Sequence, residues 1–149
     1  MRSYLVVAAL IGVTLLGCDD DDDEPTGPDL VTLNATLTGA AEFPGPGDTD
    51  GAGTAEITLD DDANEVCWDI AVSNITLPAA AAHIHSGATG VAGDIEVTLS
   101  APDANGAASG CVGADDALVD DIIANPGNFY VNVHTSDFAD GAIRGQLTN

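Results

Sequence analysis

From Leu30 to Asn149 the chain is written as short runs of alternating apolar and polar residues, broken by Gly, Pro, Asn and Asp. A period of two marks antiparallel strands with one face on a core. Leu30 to Thr38 sets Val31, Leu33, Ala35 and Leu37 against Thr32, Asn34, Thr36 and Thr38. Gly53 to Leu59 aligns Ala55, Ile57 and Leu59, and Glu65 to Val72 aligns Val66, Trp68, Ile70 and Val72. Asp94 to Ser100 aligns Ile95, Val97 and Leu99, while Phe129 to His134 and Ala142 to Leu147 complete the set. Only Asp115 to Ala124 has helical spacing, through Leu118, Val119, Ile122 and Ile123, and Asn125-Pro126-Gly127 stops it. Six or seven strands with one short helix predict an all-β domain, an antiparallel β-sandwich or flattened Greek-key barrel. Crossover helices for a parallel sheet are missing, and no internal repeat is visible.

Ahead of this domain the texture changes. Residues 1–17 read as a signal peptide, with Arg2 at the start and an uncharged apolar run from Leu5 to Leu16 that is too short to span a bilayer. Leu15-Leu16-Gly17-Cys18 resembles the lipobox of bacterial lipoproteins, which implies lipidation at Cys18. Residues 18–29, with the acidic run Asp19 to Glu24 followed by Pro and Gly, read as a disordered tether. The expected location is the cell envelope, anchored to a membrane by lipid and facing the periplasm or the exterior. Asp19 resembles an inner-membrane retention signal and the acidic cluster a surface-export signal, so both destinations stay open. Export brings an oxidising environment, and the two remaining cysteines, Cys67 and Cys111, are expected to form a disulfide.

Charge narrows the function classes. The 149 residues carry 25 acidic side chains against two basic ones, a formal net charge of -23, with no Lys. Nucleic acid is excluded as a partner, because a phosphate backbone is held by Lys and Arg. A hydrolase lacks a Gly-x-Ser-x-Gly turn. Gly47 to Gly53 begins like a calcium loop, but Ala52 and Leu59 stand where oxygen ligands are needed, so it reads as a turn. Asp60 to Asn64 reads as a hairpin loop.

The specific chemistry lies in three His and one Arg. In Ala82-His83-Ile84-His85 both imidazoles fall on one face of a strand, with Cα atoms ~7 Å apart. His134 falls opposite the apolar set Phe129, Val131 and Val133, together with Tyr130 and Asn132. Arg144 falls with Gln146, opposite Ile143 and Leu147. Parity therefore places all four on outward faces. If their strands are neighbours, His83, His85 and His134 form a candidate copper or zinc site, with Arg144 attracting an anion or pairing with a carboxylate such as Asp94 or Asp137. The competing reading is structural: imidazoles bonded to backbone, or to Tyr130 and Asn132, hold the Gly-rich loop after His85.

Ala82-His83-Ile84-His85-Ser86-Gly87-Ala88-Thr89-Gly90, Tyr130 to Thr135 and Gly141 to Leu147 resemble the signature blocks of the CHRD domain, named after chordin and also found in bacterial exported proteins. The resemblance spans about Leu30 to Asn149, and Cys67-Trp68 and Cys111-Val112 fit it as well. It implies a binding module with an unidentified extracellular or periplasmic ligand, and it assigns no catalytic residue. A weaker resemblance is to copper/zinc superoxide dismutase, in which His83, His85 and His134 would match copper ligands and Arg144 the residue that guides superoxide. That chain would need a fourth, bridging His and a His-rich zinc loop, both missing here, and an acidic field repels superoxide. Two functions are thus carried forward: a lipid-anchored binding module holding copper or zinc, and a copper-dependent redox enzyme.

Overall fold

A computed structural model describes residues 30–149. The signal peptide, Cys18 and the tether lie outside the described residues. Eight strands follow one another: β1 Leu30–Thr38, β2 Ala52–Asp60, β3 Glu65–Ser73, β4 Ala81–Ser86, β5 Ile95–Leu99, β6 Ala107–Gly113, β7 Phe129–His134 and β8 Ile143–Gln146. The helix α1, Asp116–Ala124, lies between β6 and β7. All pairings are antiparallel, and the strands form one sheet in the order β5-β4-β7-β8-β1-β2-β3-β6. The sheet curls until its two halves share one core, so the expected all-β antiparallel architecture forms, as one nearly closed sheet.

The apolar positions read from the sequence fill that core. Leu33, Leu37, Ile57, Leu59, Val66 and Ile70 from one half meet Ile84, Val131, Val133 and Ile143 from the other, all at 0 % exposure. Each such side chain stabilises the fold by about 1.5–3 kcal/mol relative to leaving it in water. The helix covers one end with Val119 and Ile122, both fully buried, while Asn125 donates back to Asp121 to close it. Among the described residues no helix is long and apolar enough to cross a membrane.

The structure departs from the alternation at two places. β6, Ala-Ala-Ser-Gly-Cys-Val-Gly, is absent from the expected set because its residues are small. Trp68 explains one of them: it faces Gly110 across the β3/β6 pair, and a Cβ at Gly110 would lie 2.7 Å from the indole. The second departure is a register shift in the β4/β5 pair, where Ile84 faces Val97 but His85 faces Ile95. One extra residue on β5 reverses the parity, so Ile95 leaves the core and is 53 % exposed.

Cys67 and Cys111 face each other in the β3/β6 register and form a disulfide across a sequence separation of 44. Closing a loop of that length stabilises by ~4 kcal/mol in the chain-entropy model. Denaturant titration with and without a reductant is therefore expected to show a loss approaching that figure, with strand content kept in the absence of denaturant. The same loss is expected for the Cys67→Ser, Cys111→Ser double variant.

Candidate metal centre

The register of three adjacent strands assembles the site. His83 on β4 faces Asn132 on β7, which faces Arg144 on β8; one step along, His85 faces Tyr130, which faces Gln146. Ala81 faces His134, so the third imidazole enters the same face from the end of β7. The face is therefore a polar layer, with the core on its other side. Ring centroids lie 5.1 Å apart for His83 and His134, 5.5 Å for His83 and His85, and 6.0 Å for His85 and His134.

Parity brings the four residues to one face as expected, but the face is not open. His85 is 8 % exposed, Asn132 4 %, Tyr130 2 % and Arg144 1 %, because three loops fold over it. The segment after β4 contributes Ala88 and Gly93, the β1–β2 loop contributes Glu42, and the β7–β8 loop contributes Ala139. An alternating pattern distinguishes the faces of a strand and carries no information about what lies on the outer one.

Two imidazoles are oriented from behind. Nδ1 of His85 lies 3.1 Å from the Gly93 carbonyl and Nδ1 of His134 lies 3.0 Å from the Ala139 carbonyl. A carbonyl only accepts, so Nδ1 carries the proton and Nε2 keeps a lone pair. Nε2 of both rings, and Nδ1 of His83, are buried without a hydrogen-bond partner. One nitrogen from each ring lies within 4.8 Å of the other two. An ion at ~2.0 Å from three nitrogens sets them ~3.5 Å apart, so small side-chain rotations would close the triangle. Burial, followed by the mutual repulsion of the rings, holds His83 below the usual imidazole pKa; burial does the same to His85. Both effects favour the neutral form that binds a metal. The backbone bonds expected of a structural role are thus present, and they leave the second nitrogen of His85 and of His134 free.

Arg144 pairs with neither Asp94 nor Asp137. Its Nη2 donates to the Ala88 carbonyl at 3.0 Å, and its Cζ lies 3.3 Å from the centre of the Tyr130 ring. Tyr130 in turn stacks on His85, with centroids 5.0 Å apart and planes 5° from parallel. Its hydroxyl accepts from the Gly93 amide. Asp137 accepts from the Thr76 hydroxyl. The carboxylate whose field reaches Arg144 is Glu42, which no sequence pattern singles out.

Glu42 Oε2 accepts from the Asn132 side chain at 3.2 Å, and its other oxygen is buried without a partner. Gly141, at φ +142°, makes room for it: a Cβ there would stand 2.5 Å from Oε2. Burial raises the Glu42 pKa from 4.5 to about 7, against the Asn132 bond and the field of Arg144.

An eight-stranded, nearly closed antiparallel sheet with a loop-covered His and Arg layer defines the class as an all-β module with a recessed polar site. The family model for the CHRD domain matches residues 33–147, nearly all of what the structure describes. The chain belongs to the CHRD-domain family. No curated protein and no solved structure matches it.

Glu42 is protonated more readily in the folded state, so its contribution to stability is complete below pH 4.5 and lost as pH rises through about 7. The Glu42→Gln variant lacks this titration. Relative to that variant, the wild-type protein is expected to lose up to about 3 kcal/mol between pH 4.5 and pH ~8, read from urea midpoints at each pH. A constant difference across that range would refute the assignment.

Proposed function

We propose that the chain is an exported, lipid-anchored CHRD binding module that holds a copper or zinc ion on His83, His85 and His134. The observation that carries the metal reading is the set of three buried, unpartnered imidazole nitrogens gathered from two strands. Imidazole nitrogen suits copper and zinc alike, and three protein ligands leave one position for water or a ligand atom. The backbone carbonyls behind His85 and His134 play the orienting part that metal-bound histidines commonly require. The lipobox-like Leu15-Leu16-Gly17-Cys18 supports anchoring, and the Cys67–Cys111 disulfide accords with an oxidising compartment. The partner is an extracellular or periplasmic ligand, not nucleic acid. The dismutase-like alternative has weaker support, since Arg144 is 1 % exposed and bonded to a loop carbonyl, a poor position for guiding an anion inward.

Metal analysis of the natively exported full-length protein is expected to give one equivalent of copper or zinc. His134→Ala and His83→Ala are each expected to weaken uptake by at least ~10-fold while circular dichroism shows an unchanged fold. Absence of metal in the native protein, together with no stoichiometric uptake from added copper or zinc, would leave the imidazoles a structural role only. Superoxide removal by the copper-loaded protein, lost in His134→Ala, would favour the enzyme instead.

A further inference from the structure

The curled sheet does not close. Its end strands, β5 and β6, form no ladder with each other, and just past β5 the Ser100 hydroxyl donates to the Ser109 carbonyl of β6 at 3.2 Å. Beyond it they part around a cleft of about 450 Å³, lined by Glu96, Val97 and Thr98 of β5, Val112 and Gly113 of β6, and the start of α1.

The free edge of β6 has a definite hydrogen-bonding phase. The Cα atoms of Cys67 and Cys111 are 4.0 Å apart. That spacing marks a non-hydrogen-bonded antiparallel pair, whose members direct N–H and C=O away from each other's strand. The flanking bonds agree: the Val72 amide donates to Gly106 and the Ala114 amide to Asn64. Ser109, Cys111 and Gly113 therefore turn their backbone groups to the open side. The Ala107 carbonyl is taken by the Asp103 amide and the Ser109 carbonyl by Ser100, which leaves Cys111 and Gly113 available. Val112 lies in register with Val66, which is 0 % exposed, yet Val112 itself is 38 % exposed. An inward-facing side chain is left uncovered because the neighbouring strand is missing.

Charge selects the occupant. Among the described residues the only cation, Arg144, is buried, and the mouth of the cleft carries Glu96 and Asp115. The chain's own acidic segment and a second copy of this surface are both repelled. We infer that the seam between β5 and β6 is a strand-addition site for an extended, Lys- or Arg-bearing segment of another protein. Backbone groups of Cys111 and Gly113 would supply the ladder, Val112 an apolar contact, and the carboxylates the selection. The site is independent of the metal reading.

The test uses the full-length, disulfide-bonded protein and an octapeptide alternating Lys and Thr as the probe. Two control peptides replace Lys by Glu or carry N-methyl groups that remove alternate backbone donors. Expected is saturable binding by the Lys-Thr peptide at or below about 1 mM, with hydrogen exchange at the Ser109, Cys111 and Gly113 amides slowed at least ~10-fold. The N-methylated peptide and the Glu96→Lys protein are each expected to bind several-fold more weakly. Equal binding of the N-methylated or Glu-bearing peptide, protection confined to other strands, or no binding at that concentration would overturn the proposal.

Discussion

The register joining β4, β7 and β8 is the constraint from which the rest of the molecule's chemistry follows. It fixes His83, Asn132 and Arg144 in one row and His85, Tyr130 and Gln146 in the next. A slip by one residue would exchange these side chains with Ile84, Val131 and Ile143, all at 0 % exposure, and would put charge into the core. The apolar face thus holds the polar face in place. The loops then complete the layer: Gln146 donates to the carbonyls of Gly87 and Gly127, and Arg144 to that of Ala88.

Burying that layer has an electrostatic cost, visible in its residues. Arg144 reaches solvent through only 1 % of its surface and is stabilised by a carbonyl, an aromatic face and the field of Glu42. Glu42 gains too little from Asn132 and Arg144 to stay ionised as an exposed carboxylate would. Unpartnered nitrogens of the three histidines and of Arg144 gather in the same layer. Such groups are rare in a finished interior.

Much of this is legible in the amino-acid sequence. Seven of the eight strands declare themselves by alternation or, for β4, by the His-Ile-His pattern, and the single helix by its spacing and Pro-Gly stop. Parity alone brings His83, His85, His134 and Arg144 to one side of the sheet, because side-chain direction in a strand is fixed by position. Burial of that side was not legible, since it depends on three loops whose paths no periodic pattern encodes. Glu42 sits in such a loop, between Ala41 and Phe43, with nothing local to mark it. β6 escaped because Ala, Ser and Gly write no amphipathic signal, and Ile95 moved because a register shift is a property of two strands together.

The placement of the disulfide also has a mechanical meaning. The covalent loop from Cys67 to Cys111 contains β4, with His83 and His85, while His134 lies outside it on β7. Tension applied between the two ends of the chain can lengthen only the segments before Cys67 and after Cys111. Pulling therefore draws His134 away from a pair whose own contour cannot extend, and the three imidazoles come apart where the crosslinked and uncrosslinked portions of the molecule meet.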